Sequence, residues 1–356
     1  MIITRTPFRI TLGGGGTDLP SFYHEHGGLI LAVALDKYMF LSVNTPILDD
    51  KIRVRYSTSE MVDHVDEVQH TLAREALRYF GIPNGLEIVS IADIPAGTGL
   101  GSSSSYLVGL LNALHVLLQD QASPQKLAEE ACYLELEVLQ KPIGKQDQYM
   151  AAFGGLTVLN VDRDGKVDVA RINLNMELLE ELEQNIVLFY THDVRDATTI
   201  LQKQDAATRC NDQIVISNLR EIKDIGIEIC SAITKGNLRR FGELMDLHWE
   251  SKKRLSAGIS NPQIDRWYGL AKKNGAIGGK ISGAGGGGFL MFYCEEKKPQ
   301  LREAMRNAGL RELNFRFDFE GSKVILDAVS RDGRLAHIQR QNNHENGLVL
   351  TAKSSG

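Results

Sequence analysis

Ile94–Ser105, IPAGTGLGSSSS, is the stretch whose residue types and spacing point most directly to chemistry. Pro95 stiffens the entry, and Gly97, Gly99 and Gly101, with Leu100 between the last two, allow positive φ and close approach of backbone to a ligand. A helix starting near Ser102 would aim unpaired N–H groups and its positive dipole end into the same space. The chemistry that follows is anion binding. Ser102, Ser103, Ser104 and Ser105 add hydroxyls for phosphate oxygens and, from one of them, a neutral oxygen for Mg²⁺. Capping a helix needs one such serine, so the loop exceeds what a plain strand-to-helix turn requires. It is not a Walker A loop, because no Gly-Lys-Ser/Thr ends it, and a serine replaces the third glycine of a dinucleotide fingerprint.

Asp147 is the carboxylate singled out as a proton acceptor. It sits in the polar stretch IGKQDQYMAAF (143–153), with Lys145 close by to keep it ionised. On local sequence alone, a turn or cap residue is the commoner role for such an Asp. Glu135 lies on the preceding helical pattern, where a solvent-facing charge is the ordinary role. Asp18 follows the four-glycine run Gly13–Gly16 as a helix cap or as an acceptor for substrate hydroxyls. Arg9 is a strand-edge residue or an anion clamp. A second glycine cluster, GGKISGAGGGG, formally contains Gly283-x-Gly285-x-x-Gly288. An apolar strand pattern follows it where the fingerprint needs a helix, so a tight turn between strands is the competing account. Lys280 just before it is solvated or points at a phosphate. None of the histidines has a Ser or Cys partner at a recognisable spacing.

These residues need a scaffold, and the patterning supplies one. Ile2–Leu12 alternates as a strand; Leu29–Leu35 and Tyr38–Val43, around Asp36-Lys37, suggest a hairpin; Lys51–Tyr56 alternates again. His64–Phe80 reads as one helix, Leu86–Ile91 as the strand feeding the serine loop, and a helix starting at Ser123-Pro124 should run to about Leu139. Gly155–Val161 and Lys166–Ile172 form a hairpin through Asp164-Gly165. After the strand Asn185–Tyr190 come helical patterns at Asp196–Lys203, Ile214–Ile233 and Leu238–Ser256, so a domain boundary is placed near Asn185. A helix after Pro262, a strand at Phe289–Tyr293, a helix at Pro299–Ala308 and a strand at Asn314–Phe319 complete the ordered part. The polar tail from about Ser330 is expected to be partly disordered.

With 356 residues, 43% hydrophobic and 24% charged, the chain suits a two-domain globular protein. A net charge of −5 argues against nucleic-acid or anionic-membrane partners. Cys132, Cys210, Cys230 and Cys294 are scattered without metal-ligand spacing, as free thiols in a reducing compartment would be. No signal peptide or bilayer-spanning run is read, which makes cytoplasm the expected location.

Three stretches taken together, PFRITLGGGGTDLP, PAGTGLGSSSS and KISGAGGGGFLMF, resemble the three motifs of the GHMP kinases, the family of galactose, homoserine, mevalonate and phosphomevalonate kinases. The resemblance covers roughly residues 1–327. It implies an α+β, two-domain fold: an N-terminal domain (1–184) with a left-handed β-α-β unit, a ferredoxin-like C-terminal domain (185–329), a tail (330–356), and ATP in the interdomain cleft. It further implies that Pro95, Gly97, Gly99, Leu100, Gly101 and Ser102–Ser105 wrap the triphosphate, with Ser103 near Mg²⁺. Pro142 and Asp147 match a galactokinase pattern with Asp five positions after Pro and a glutamate seven before the proline, which implies Asp147 as base and Glu135 as Mg²⁺ ligand. Arg9 and Lys145 would stabilise charge on the transferred group. Gly14, Gly15, Gly16, Thr17 and Asp18 would hold the sugar, and Gly283, Gly285 and Gly286 would back it. Lys280 and Arg195 are the candidates for gripping a distal phosphate.

Gly15-Gly16 stands where the galactokinase motif has Glu-His, which leaves backbone donors and volume for a larger, anionic substrate. GGGGTDLP with GKQDQYMAAFGG is similar to the D-glycero-D-manno-heptose 7-phosphate kinases. That similarity implies phosphorylation of an anomeric hydroxyl, with ATP and a sugar phosphate as partners and a monomer or homodimer as the working unit. A kinase for another sugar (fucose, arabinose or galactose type) and a non-catalytic nucleotide-binding regulator are the competing readings.

Overall fold

The computed structural model describes residues 1–192 and 197–329. The tail at 330–356 and Arg195 lie outside the described residues.

Twelve strands form two sheets among these residues. The larger contains β1 (Ile2–Gly13), β2 (Gly28–Asn44), β3 (Ile52–Arg55), β4 (Ser59–Val62), β5 (Glu87–Ala92), β6 (Leu156–Val161), β7 (Val167–Arg171) and β12 (Lys323–Asp327). The smaller contains β8 (Ile186–Tyr190), β9 (Gly278–Ile281), β10 (Phe289–Tyr293) and β11 (Arg311–Leu313). Its order, β11-β8-β10-β9, with helices after the first and third strands, is that of a ferredoxin-like βαββαβ layout.

β2 organises the larger sheet. From Leu31 to Val43 it pairs with β1, while on its other edge the first half pairs with β6 and the second half with β5. The hairpin expected around Asp36-Lys37 is therefore a bulge in one continuous strand, where the register shifts between Pro7 and Phe8. Neither residue takes the positive φ that a two-residue hairpin turn demands. The bulge is pinned instead by the Arg316 backbone, whose N–H reaches Asp36 Oδ1 at 2.8 Å.

The helices are α1 (Pro20–His26), α2 (Thr71–Tyr79), α3 (Ser102–Leu117), α4 (Pro124–Cys132), α5 (Gln146–Phe153), α6 (Met176–Asn185), α7 (Ala197–Arg209), α8 (Gln213–Thr234), α9 (Leu238–Lys253), α10 (Pro262–Lys273) and α11 (Lys298–Asn307). The single helix expected over His64–Phe80 breaks, because the Glu60 carboxylate takes the backbone N–H of His70 and the His70 ring caps α2 at Ala73 N. The helix expected to reach Leu139 changes at Cys132 into a π-helical turn, Tyr133–Val138, a distortion that often marks functional positions. The polar stretch 143–153 is partly helical, and Asp147 stands in the first turn of α5. No strand forms over Asn314–Phe319; Phe317 makes an isolated bridge to Leu35. The unanticipated β12 pairs with β1, so the chain expected to stay in the second domain returns to the first sheet.

Phe8, Ile10 and Leu12 of β1 share a core with Leu107, Leu110 and Leu111 of α3 and with Ile225 and Ile229 of α8. Buried on both faces, the second half of β1 holds Arg9 rigidly between the two units. Among the described residues, no helix is long and apolar enough to cross a membrane.

Candidate active site

Gly97, Gly99 and Gly101 have φ of 78°, 80° and 82°, the left-handed values that the glycine spacing anticipated. Gly101 is the N-cap residue of α3 and offers no side-chain cap, so the first helical N–H groups stay available to a ligand. Ser102, Ser103 and Ser104 line a cleft of about 300 Å³ below this helix end.

Arg9 ties the loop to the proposed base. Its Nε donates to Asp147 Oδ1 at 2.7 Å, its Nη2 forms an ion pair with the same oxygen at 2.5 Å, and its Nη1 donates to the Gly99 carbonyl at 2.7 Å. Asp147 Oδ2 has no partner among the described residues, and the side chain is 27% exposed, open to the cleft. A Cβ placed on Gly101 would sit 3.4 Å from the Asp147 carboxyl carbon, so the glycine-serine loop and the carboxylate are neighbours.

Asp18, from the turn after β1, is buried beside them and accepts from Gln146 N at 3.0 Å and from Gln146 Nε2 at 3.2 Å. Burial raises its carboxyl above the ordinary value, the Gln146 backbone bond opposes this, and the negative charge of Asp147 adds to it.

Glu135, fully buried on the π-helical turn, is satisfied on both oxygens. Oε1 accepts from Ser103 Oγ at 3.0 Å and Lys141 Nζ at 2.9 Å; Oε2 accepts from Ser104 Oγ and Gln148 Nε2, each at 2.7 Å. Its expected role as a solvent-facing charge is excluded by this burial. The ammonium of Lys141 touches both Glu135 and, at 3.2 Å, Ser103, so a cation already rests against the two oxygens assigned to Mg²⁺. One carboxylate and one hydroxyl beside a phosphate site fit a Mg²⁺ that takes its remaining ligands from phosphate and water. No cluster of three or more His, Cys, Asp or Glu ligands exists among the described residues, so an all-protein cage is not available.

The second domain closes the cleft with Lys252 from the end of α9, Lys280 from β9 and Gly283 from the glycine loop between β9 and β10. The loop is a tight turn between β9 and β10, and Gly283 lines the cleft. Gly283, at φ 73°, lies against Gly99 so closely that a Cβ would stand 2.6 Å from the Gly99 Cα.

Several expected site residues face elsewhere. Lys145 donates to the Gly165 carbonyl and stacks 5.3 Å from the Tyr23 ring, away from Asp147, because the α5 start turns its side chain toward the β6–β7 hairpin. From this segment Lys141, not Lys145, lines the cleft. Ser105 Oγ donates to the Pro7 carbonyl at 2.8 Å and locks α3 onto β1. Leu100 is buried in the core with its carbonyl on Arg9 N, and Pro95 is exposed outside the cleft lining. Thr17 exchanges hydrogen bonds with the Leu29 backbone, and Gly14 packs on the same carbonyl, so of the glycine run only Gly15 and Gly16 line the cleft. Gly285 and Gly286 dock on Ile259. Sequence reasoning passed over Lys141, Lys252 and Gln204. Lys252 did carry a signal, since it continues the buried face Phe241, Met245, His248 at helical spacing.

Residues 66–155 match the family model described as GHMP kinases N terminal domain, and residues 229–310 the one described as GHMP kinases C terminal. The D-glycero-alpha-D-manno-heptose 7-phosphate kinase of Campylobacter jejuni is 29% identical over 90% of this chain and 98% of its own length. The L-fucokinase/L-fucose-1-P guanylyltransferase of Bacteroides fragilis is 28% identical over 85% of this chain and 35% of its own. The crystal structure of a D-glycero-D-manno-heptose 1-phosphate kinase from Bacteroides thetaiotaomicron superposes with a TM-score of 0.76 at 25% identity, covering 93% of this chain and all of that one.

Proposed function

Because the chain belongs to the GHMP kinases and is a phosphotransferase of the sugar-kinase type, we propose that it transfers the γ-phosphoryl group of ATP to the anomeric C1 hydroxyl of D-glycero-D-manno-heptose 7-phosphate. The product, a 1,7-bisphosphate, would serve nucleotide-heptose synthesis for a bacterial surface polysaccharide. The observation that carries the reading is the Arg9 guanidinium, bonded at once to Asp147 and to the phosphate-loop carbonyl of Gly99.

Held by Arg9 through one oxygen, Asp147 presents the other to the sugar. It takes the C1 hydroxyl proton as that oxygen attacks the γ-phosphorus, and ADP leaves. Charge on the transferred group is met by Arg9 and by the open N–H groups at the start of α3. Asp18, oriented by Gln146, positions sugar hydroxyls over Gly15 and Gly16, where bare backbone leaves room for a seven-carbon acceptor. Glu135 and Ser103 would hold Mg²⁺, which GHMP kinases generally use with ATP; when bound it offsets polyphosphate charge.

A panel of sugar phosphates and free sugars assayed with ATP and Mg²⁺ tests the proposal, with the position of the new phosphate read by ³¹P and ¹³C NMR. Heptose 7-phosphate should give the highest kcat/KM and a C1 phosphate. Preference for free fucose, or phosphorylation at another carbon, defeats the substrate assignment and leaves the kinase intact.

A further inference from the structure

Among the described residues, two buried lysines in the cleft have no carboxylate partner. Lys280 is 2% exposed on β9, and among the described residues nothing accepts a hydrogen bond or ion pair from its amine. Lys252, 7% exposed, donates to the carbonyls of Ile281, at 3.3 Å, and Gly283, but to no carboxylate. Both line the cleft. Arg9, which adds positive potential at both amines, is already neutralised by Asp147. His248 is fully buried beside them with neither ring nitrogen partnered among the described residues, and burial together with both lysines keeps it neutral.

An unpaired buried ammonium is among the most expensive features a fold can carry. Lys252 has a structural use, since its two carbonyl bonds fasten the glycine loop to α9. Lys280 has none. A pair of ammonium groups aimed into one cavity is compensated by a multiply charged oxyanion, and a phosphate monoester dianion supplies both the charge and the acceptors.

We propose that Lys252 and Lys280 together form a phosphate subsite on the second-domain side of the cleft. On the function proposed above, this subsite takes the phosphate that the acceptor sugar already carries, and so selects phosphorylated over free sugars. The γ-phosphoryl of ATP is the other source of the same chemistry, and kinetics separate the two.

The test uses Lys280→Met, Lys252→Met and the double variant, which keep the aliphatic stems and remove the charges. Inorganic phosphate binding to the nucleotide-free enzyme is measured by calorimetry, and kcat and KM are measured for ATP, heptose 7-phosphate and unphosphorylated heptose. Loss of phosphate affinity by about thirtyfold in the double variant supports the subsite. If the acceptor's phosphate binds there, the wild-type preference for heptose 7-phosphate over free heptose collapses by a similar factor through KM. If the γ-phosphoryl binds there, kcat falls on both acceptors and the preference survives. Phosphate affinity and all kinetic constants within about threefold of wild type overturn the subsite. Should wild type turn over neither sugar while the variants still lose phosphate binding, the substrate assignment fails and the subsite stands.

Discussion

Gly99 and Gly283 lie back to back: a Cβ on Gly99 would come 2.6 Å from the Ser282 carbonyl oxygen, and one on Gly283 would come 2.6 Å from the Gly99 Cα. The proposed phosphate loop of the first domain is therefore shaped by the glycine loop of the second. This contact explains why a glycine cluster that opens no helix is needed far along the chain. It also makes the proposed nucleotide site a property of the domain interface.

Gly283→Ala should accordingly lower stability and raise the KM for ATP. The left-handed φ alone costs roughly 1–2 kcal/mol in an L residue, and the steric contact adds about 1–3 kcal/mol as the two loops separate. Gly81→Ala is the control, because it has φ 63° with nothing within 4 Å of a Cβ. Thermal melts and ATP kinetics of both variants isolate the contact; equal behaviour would mean that the two loops do not support each other.

How far the site was legible follows from the same geometry. The phosphate loop could be read because its conformation is local: glycine spacing dictates φ, and the serines start a helix. Asp147, Arg9 and Glu135 were found by motif, but their burial and pairing are long-range facts. The hairpin at Asp36-Lys37 was misplaced because two polar residues between apolar runs resemble a turn, whereas the bulge is fixed by Arg316 near the other end of the chain. Lys145 was assigned to the chemistry by adjacency alone. The first turn of α5 decides which neighbour of Asp147 faces the cleft, and that turn is set by Asp18 accepting from Gln146 N. β12 escaped notice because a short edge strand with an exposed face carries little alternation.

Asp147→Asn keeps the shape of the base and removes its charge. The expected result is a fall in kcat on the order of 10²–10⁴-fold with ATP affinity retained, since Arg9 Nη1 still donates to the Gly99 carbonyl. Single-turnover assays and nucleotide titration check both halves. Wild-type kcat in this variant would remove Asp147 from proton transfer.

Glu135→Gln turns an acceptor-only group into one that carries two donor hydrogens, facing Ser103, Ser104, Lys141 and Gln148. Mismatched donors in a buried site cost about 1–3 kcal/mol. The melting temperature should drop, and the Mg²⁺ concentration for half-maximal activity should rise. An unchanged Mg²⁺ dependence with a lowered melting temperature would assign Glu135 to structure alone.

The ligand-free enzyme should become more stable as pH rises from about 7 to 9. Burial lowers the Lys252 ammonium from 10.5 to about 7, with the charge of Arg9 adding to the shift. Between those values the unfolded chain holds a proton that the folded protein has released, so stability increases with pH, by up to about 1.4 kcal/mol per unit for one group. Lys280 is shifted in the same direction by burial and by Lys252. Above about 9 the rise is opposed, because burial raises the Cys132 thiol from its ordinary value of 9.0 and the folded state then keeps a proton that the unfolded chain loses. Denaturant titrations across this range should show the rise in wild type, a flatter profile in Lys252→Met, and a flatter profile in wild type saturated with phosphate, which holds the lysines charged. A wild-type profile without slope from pH 7 to 9 would mean that the two ammonium groups are already compensated in the free enzyme.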